Sequence, residues 1–219
     1  MEIDESKYKH FSFDLWLTLI RSNPEFKYKR DCMFRDFFDI DETIETVSKV
    51  IRYYDVLSNK ISEKTGQHIK YDTIYYHILS SLKVNLDVIE EKKMLDYYLE
   101  VEHLFLQNKP ILIVPNIIEL LSKIKNQGKT INIASNTAFI EGRTLCRLID
   151  YFELSDFFSF QLYSDELKIS KPNTLFFENI YNKALKIQPI EKKDVVHIGD
   201  NKFADYEGAI KYGLSAILI

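Results

Sequence analysis

The amino-acid sequence predicts an α/β protein: a parallel β-sheet covered by helices on both faces, with a helical segment inserted near its start. Residues 11–20 are mostly apolar and aromatic, as in a buried strand, and Asp14 interrupts them. Residues 24–108 contain only two of the eleven glycines and prolines and place apolar residues at helical spacing. From Pro110 onward, short apolar runs alternate with helical patterns, which implies right-handed crossovers between parallel strands.

The inserted segment is expected to contain about four helices. Apolar residues at Ile44, Val47, Ile51 and Leu57 suit one face of an amphipathic helix. A second pattern of this kind spans residues 95–106. The charge-rich stretches of the segment are interpreted as solvated helix faces.

Beyond the insert, the pattern predicts four helices that alternate with four strands. Gly128 and Gly213 follow two of the helices and suit the left-handed conformation that often ends a helix. Sheets of this kind bind ligands beyond the carboxyl ends of their strands, near the point where the strand order reverses. The predicted helices span residues 116–127, 141–150, 174–186 and 204–212, and the predicted strands span residues 130–134, 157–161, 194–198 and 215–219.

Composition and charge narrow the classes of function. The chain has 219 residues, 46% of them hydrophobic, which suits a globular protein of one domain with a sizeable insert. The net charge of −4 argues against a general attraction to nucleic acid or anionic membranes. Cys32 and Cys146 lack a zinc-type spacing and fit a reducing cytosol. The acidic N-terminus shows no signal-peptide pattern, and no apolar run approaches the roughly 20 residues of a membrane span.

Four short polar signals lie where this sheet is expected to place a ligand site. Considered singly, the first three have ordinary explanations: a loop acid, a helix N-cap and a proline at the start of a helix. The fourth is more specific, because a Gly-Asp pair at a strand end followed by a second acid is typical of a metal site. In chain order the signals are Asp14, Ser135-Asn136-Thr137, Lys171-Pro172, and Gly199-Asp200 followed by Asp205.

Together, in this order and on this scaffold, the signals resemble the haloacid dehalogenase superfamily of hydrolases, the family of aspartate-nucleophile phosphatases. The resemblance covers residues 11–20 and 110–219. It implies a doubly wound, Rossmann-like parallel sheet of about five strands, with the strand of Asp14 in the centre, and an all-helical cap. We therefore expect a core domain formed by residues 1–20 and 110–219 and a cap domain formed by residues 21–109.

The resemblance also implies a role for each signal. Asp14 would be the catalytic nucleophile that forms an aspartyl-phosphate, and Lys171 would neutralise charge on the nucleophile and on the transferred group. Ser135 and Asn136 would bind the substrate by donating hydrogen bonds to its phosphoryl oxygens. Lys168 is a nearby alternative to Lys171, but the lysine that precedes a proline and a helix matches the family pattern better.

A Mg²⁺ cofactor is a further implication of the resemblance. Mg²⁺ prefers six oxygen ligands and keeps several waters. The carboxylates of Asp14 and Asp200 and the backbone carbonyl of Trp16 would be its protein ligands. Asp205 would be either a third carboxylate ligand or a support behind the others.

Trp16 departs from the family pattern in a way that changes the chemistry. Phosphatases of the family carry a second Asp at this position, which protonates the leaving oxygen and then activates water. An indole cannot exchange protons near neutral pH, and general acid–base help is worth about 10²–10⁴-fold in rate. Family dehalogenases also have an aromatic residue there, since a halide leaves without a proton. They work without metal, however, and their fourth motif lacks the Gly-Asp acid pair.

The remaining charged residues are less informative. The five histidines show no recognised metal-ligand spacing, and His197, inside a predicted strand, is expected to be a packed core residue. Arg30, Arg35 and Arg143 are cations that could reach an anionic substrate, although nothing in the sequence orients them.

The sequence thus predicts a cytoplasmic, Mg²⁺-dependent hydrolase that acts through an aspartyl-phosphate on a small phosphorylated metabolite. Two alternatives stay open: hydrolysis of a carbon–halogen bond as in the dehalogenases, and a catalytically weak binding or regulatory protein of the same fold. We expect no nucleic-acid partner and no membrane partner, and the sequence makes no prediction of the oligomeric state.

Overall fold

Five parallel strands form the central sheet of the protein. The computed structural model describes residues 6–219, and the acidic start of the chain, Met1–Glu5, lies outside them. In chain order the strands are β1 (His10–Phe13), β2 (Ile20–Arg21), β3 (Ile111–Leu112), β4 (Thr130–Ser135), β5 (Phe160–Tyr163), β6 (Val195–Gly199) and β7 (Ser215–Leu218). The sheet has the order β5-β4-β1-β6-β7, and β2 pairs with β3 in a separate two-stranded ribbon. The predicted parallel sheet, with the strand before Asp14 at its centre, is confirmed.

Helices connect these strands and form the insert. No helix in the described part of the chain is long and apolar enough to cross a membrane. In chain order the α-helices are α1 (Pro24–Phe37), α2 (Ile44–Thr65), α3 (Tyr71–Ser81), α4 (Glu91–Gln107), α5 (Ile117–Asn126), α6 (Gly142–Tyr151), α7 (Ser164–Leu167), α8 (Thr174–Ile187) and α9 (Gly208–Tyr212).

One predicted strand is displaced along the chain. The strand expected over residues 157–161 is β5, which begins at Phe160. Residues Ser155–Phe157 form a turn of 3-10 helix instead, and the backbone N–H of Phe158 closes it on the Ser155 carbonyl at 3.0 Å. The pairing with β4 therefore starts three residues later than the apolar pattern suggests.

The last predicted helix is also modified. It begins earlier than residue 204, as a π-helical turn over Lys202–Glu207 that leads into α9. The side chain of Asn201 accepts hydrogen bonds from the backbone N–H groups of Phe203 and Ala204 and so caps this turn. The prediction that Gly213 ends this helix is confirmed, since its φ of 99° is the left-handed conformation expected there.

The sheet has helices on both faces because side chains alternate along each strand. On one face, Phe11 and Ile133 belong to a core cluster that includes apolar residues of α5 and α6 and continues into α1–α4. On the other face, Ala134 and Val195 pack with apolar residues of α8 and α9, among them Phe177. The architecture is therefore doubly wound.

The helices α1–α4 form the insert between β2 and β3. These two strands pair antiparallel, with Ile20 opposite Leu112, so the chain leaves the core and returns to it at one place. Inside the insert, Phe34, Tyr75 and Tyr97 are fully buried and their rings pack against one another. This aromatic centre gives the insert a core of its own, continuous with one face of the sheet.

Several polar contacts join the insert to the core, among them the following two. The guanidinium of Arg143 in α6 donates two hydrogen bonds of 3.0 Å to the buried carboxylate of Glu102 in α4. The segment after α2 bonds to the segment before Lys171, since the Ser170 backbone N–H donates to the Gly66 carbonyl at 3.1 Å. The insert is thereby held over the carboxyl ends of the strands.

Candidate active site

The candidate site lies where three neighbouring strands end. Asp14 directly follows β1, Ser135 ends β4, and Asp200 directly follows β6. Because β1 lies between β4 and β6, their carboxyl ends meet at one edge of the sheet. The backbone N–H of Asp14 donates to the Ile198 carbonyl at 2.9 Å, which extends the strand pairing up to this carboxylate.

Lys171 connects the carboxylates from a separate loop. Its ammonium donates to Oδ1 of Asp14 at 2.8 Å, to Oδ1 of Asp205 at 2.6 Å and to the Ala134 carbonyl at 2.7 Å. An ammonium has three N–H donors, so all of them are used. The side chain is 1% exposed, whereas the alternative lysine, Lys168, is exposed to solvent.

Asp205 is held on both of its oxygens. Oδ1 accepts from Lys171 and lies 3.1 Å from His197 Nε2, and Oδ2 accepts from the Asn201 backbone N–H at 3.0 Å. The same side chain packs on the bare backbone of Gly199, where an added Cβ would lie 2.3 Å from Oδ2. Glycine is required there because any larger residue would displace Asp205.

Burial and charge set opposite protonation tendencies in the two carboxylates that Lys171 joins. Burial raises the pKa of Asp14 to about 6, although the Lys171 ammonium opposes this shift. Burial would also raise the pKa of Asp205, but Lys171 and His197 together hold it well below its usual range. The pKa of Lys171 is raised, because the two carboxylates outweigh the effect of burial. The ammonium therefore stays charged.

The acidic groups have the chemistry of a divalent-cation site. Carboxylate oxygens of Asp14, Asp200 and Asp205 lie within 4.8 Å of one another. Burial, and then the charge of Asp205, raises the pKa of Asp200. Three carboxylates against the one ammonium of Lys171 leave a formal charge of −2 in a largely buried space. Hard oxygen donors with this charge fit Mg²⁺.

The two residues expected to bind a phosphoryl group make other contacts. The Asn136 side chain forms a reciprocal pair with the Lys171 main chain: its amide donates to the Lys171 carbonyl at 3.0 Å, and its oxygen accepts from the Lys171 N–H at 2.8 Å. The buried Ser135 hydroxyl donates to the Asn136 carbonyl at 3.1 Å. Neither side chain caps a helix, because α6 begins at Gly142. Asn136 thus fixes the loop that carries Lys171.

A cleft of about 550 Å³ opens onto the acidic cluster between the core and the insert. A groove of about 590 Å³ along α2 contains none of the three carboxylates, so we place the chemistry in the cleft. The insert wall of the cleft carries more cations than acids. The core side includes Asp14, Trp16, Asn136, Phe139, Lys171 and Asp200, and the insert side includes Phe26, Lys27, Arg30, Arg52, Asp55, Lys60 and Glu63.

The structure separates the three arginines that the sequence left without orientation. Arg30 is buried, lines the cleft and bonds to Asp31 at 2.7 Å. Arg35 pairs with its neighbour Asp36, and Arg143 is occupied by the insert–core contact. Among these three arginines, Arg30 is the one that lines the cleft.

His197 has a role that the sequence analysis missed. It is fully buried, as expected of a core histidine, and burial lowers its pKa. Its ring nevertheless reaches Asp205 on one side and the Ser12 hydroxyl, at 2.9 Å, on the other. The strand period would place Ser12 and His197 on one face of the sheet, and the register of β1 with β6 sets them opposite each other.

The opposite pKa shifts predict opposite effects on stability in metal-free protein. The pKa of Asp14 is higher in the folded state than in the unfolded state, so keeping this carboxyl ionised at pH 7 destabilises the fold. Asp14→Asn removes that cost and should raise the free energy of unfolding by about 1–3 kcal/mol. The lowered pKa of Asp205 means that its ionised form stabilises the fold. Asp205→Asn should therefore lower the free energy of unfolding by about 3 kcal/mol.

Urea unfolding in EDTA measures the free energy of unfolding of wild type and of both variants, and each variant serves as the control for the other. The gain from Asp14→Asn should shrink as the pH falls through about 6, where the folded wild type protonates this carboxyl. A loss of stability in Asp14→Asn at pH 7 would contradict the account of the charges.

Comparisons with known proteins agree with the fold described above. A glyceraldehyde 3-phosphate phosphatase of Pyrococcus furiosus is 24% identical, over 83% of this chain and 78% of the relative. The magnesium-bound HAD-hydrolase YfnB of Bacillus subtilis superposes with a TM-score of 0.71 at 16% identity, covering 97% of this chain and 89% of that one. The L-2-haloacid dehalogenase of Xanthobacter autotrophicus superposes with a TM-score of 0.60 at 15% identity, covering 97% and 77%.

The family match covers most of the chain. The model of the haloacid dehalogenase-like hydrolases matches residues 37–219, which include the segments of Ser135, Lys171 and Asp200. Asp14 precedes the matched part, and its place in the site rests on its contact with Lys171. The chain belongs to the haloacid dehalogenase-like hydrolase family.

Proposed function

We propose that the protein is a Mg²⁺-dependent phosphatase that hydrolyses small phosphorylated metabolites through an aspartyl-phosphate on Asp14. The observation that supports this most is the Lys171 ammonium bonded to both Asp14 and Asp205, beside the Asp200 carboxylate. A phosphoryl group needs a nucleophile, and its equatorial oxygens need positive charge. The site offers both within one cleft.

The chain's own residues suit two successive displacements. In the first, a carboxylate oxygen of Asp14 bonds to phosphorus while the bond from phosphorus to the leaving oxygen breaks. In the second, water attacks phosphorus and the bond from phosphorus to the Asp14 oxygen breaks, which frees the Asp14 carboxylate and inorganic phosphate. One proton of the water stays on the phosphate, and the other passes to solvent and balances the proton that the departed leaving oxygen takes up. Lys171 lies against Asp14 in the structure, so its charge would offset that of the nucleophile before attack and that of the transferred phosphoryl group.

Four groups would hold the metal and support it. Asp14, Asp200 and the Trp16 backbone carbonyl would be ligands, and Asp205, whose oxygens already bind Lys171 and Asn201, would lie behind them. When bound, Mg²⁺ supplies positive charge that balances the acidic cluster and the phosphoryl oxygens.

The cleft walls favour an anionic substrate of modest size. Lys27, Arg30, Arg52 and Lys60 from the insert face the same space as the nucleophile. The relative named above as a glyceraldehyde 3-phosphate phosphatase makes a small phosphorylated metabolite a reasonable substrate class.

Both cysteines are free, in keeping with the proposed cytoplasmic location.

Trp16 gives a specific reason to keep dehalogenation as the second candidate. It lines the cleft two residues after the nucleophile, and its ring packs 6.2 Å from that of Phe105 in α4. No proton donor occupies this position, and a halide would need none. The cluster of three carboxylates favours the phosphatase, because extra negative charge without a cation would repel the carboxylate of a haloacid.

We expect purified protein, freed of metal with EDTA, to release phosphate from a panel of phosphorylated metabolites only after Mg²⁺ is restored. Asp14→Asn should abolish turnover, by more than about 10³-fold, because no nucleophile remains. The measurement is phosphate release, with chloride release from 2-chloropropionate in parallel. The exposed acid Asp87 provides the matched control, and Asp87→Asn should match wild type.

This panel separates the candidates. Metal-independent chloride release would support the dehalogenase and contradict the proposal. No turnover of any compound, with Mg²⁺ binding intact, would favour a binding protein. Urea unfolding of Asp14→Asn in the assay buffer, with Mg²⁺, separates a loss of activity from a loss of the fold.

The missing proton donor at Trp16 predicts a strong preference for leaving groups that are weak bases. Wild type should hydrolyse aryl and acyl phosphates readily and alkyl phosphates slowly. Trp16→Asp should raise alkyl phosphate turnover by about 10-fold or more, because a carboxyl can protonate the leaving oxygen. Plotting log kcat/KM against leaving-group pKa checks this, and the slope should be flatter in the variant.

Trp16→Phe is the matched control, since it keeps an aromatic ring against Phe105 without adding an acid. Its slope should stay as steep as that of wild type. A flat slope in wild type, with chemistry rate-limiting, would mean that another group donates the proton and that this account of Trp16 is wrong.

A further inference from the structure

Two buried side chains contact the site from behind, without facing the cleft. His197 Nε2 lies 3.1 Å from Asp205 Oδ1, and His197 Nδ1 lies 2.9 Å from the Ser12 hydroxyl oxygen. Ser12 and His197 are both fully buried, and neither is among the residues that line the cleft. Their hydrogen-bonded link to the cleft runs through Asp205, which does line it.

The donors and acceptors in this chain of contacts determine the tautomer of the imidazole. The Asp205 carboxylate can only accept, so the proton of the neutral ring must lie on His197 Nε2. Nδ1 is then an acceptor, and the Ser12 hydroxyl is the donor that satisfies it. Ser12 thus completes the hydrogen bonding of the tautomer that Asp205 selects, and it fixes the orientation of the ring.

The position of the Lys171 ammonium depends on Asp205. Two side chains contact Oδ1 of Asp205 within the described residues, Lys171 at 2.6 Å and His197 at 3.1 Å. All three donors of Lys171 are used, so a rotation of the Asp205 carboxylate would draw the ammonium away from Asp14. The imidazole opposes that rotation from the side away from the cleft.

We propose that His197, oriented by Ser12, is a positioning residue that holds Asp205 so that Lys171 bridges Asp205 and Asp14. The inference rests on the proposed function, because the group that it positions is the ammonium beside the nucleophile. Loss of the imidazole should reduce kcat and leave KM nearly unchanged, since the cations of the insert that would bind the substrate, such as Lys27 and Arg30, stay in place.

The chain contains a matched control for this histidine. His10 lies on β1, is also fully buried and uses both ring nitrogens, at 2.7 Å from Thr130 Oγ1 and 2.8 Å from Asn132 Oδ1. None of these partners is a carboxylate of the site. Replacing His10 should therefore disturb the core as much as replacing His197 does, without moving Lys171.

The experiment compares four variants with wild type, using an aryl phosphate and Mg²⁺. Ser12→Ala should lower kcat by about 10-fold and His197→Phe by about 100-fold, within the range seen when the partners of site ligands are removed. His197→Gln, whose amide can donate to Asp205, should recover most of the loss. His10→Phe should keep kcat within about threefold. KM should change by less than about threefold in all four.

Nitrogen-15 NMR of histidine-labelled wild type, without substrate, provides a readout independent of turnover. The His197 ring should show the neutral tautomer with its proton on Nε2, and Ser12→Ala should shift the Nδ1 resonance. A proton on Nδ1 would overturn the proposal, as would equal losses of kcat in His197→Phe and His10→Phe. If the protein has no phosphatase activity, the proposed function fails, and the NMR result still decides whether the imidazole donates to Asp205.

Discussion

One buried ammonium between two carboxylates organises the site. Without Lys171, Asp14 and Asp205 would be two like charges on largely buried side chains, and one of them would have to take up a proton. With Lys171 present, Asp205 stays ionised. Asp14, with a pKa of about 6, changes between its protonated and ionised forms just below neutral pH. The same contact brings a loop distant in sequence to the central strand.

Much of the remaining structure keeps this ammonium in place. Asn136 forms two hydrogen bonds with the main chain of Lys171, and Gly199 leaves room for the Asp205 side chain. The Ala134 carbonyl accepts the third N–H of the Lys171 ammonium. Asn136 and Ala134 come from the end of β4, and Gly199 ends β6. The doubly wound sheet makes these contacts possible because it gathers the carboxyl ends of parallel strands at one edge.

Local strand patterns predicted the parallel sheet, and the resemblance carried by the short motifs implied its central strand and the convergence of Asp14, Lys171 and Asp200. The sequence did not predict the Asn136 contact with the Lys171 main chain or the contact of His197 with Ser12. These contacts join residues 35 and 185 positions apart, and they depend on how the strands and loops pack. The start of β5 was misplaced because an apolar run beginning at Phe157 suits either a strand or the turn that forms there.

The central claim is that Asp14, neutralised by Lys171, attacks phosphorus. Rapid acid quenching of wild type during turnover of a ³²P-labelled aryl phosphate, followed by peptide mapping, tests it most directly. The account predicts transient label on the peptide that contains Asp14, removed by hydroxylamine as expected of an acyl phosphate. Turnover without any labelled enzyme, under conditions where formation of the intermediate outpaces its breakdown, or label on another residue, would contradict it.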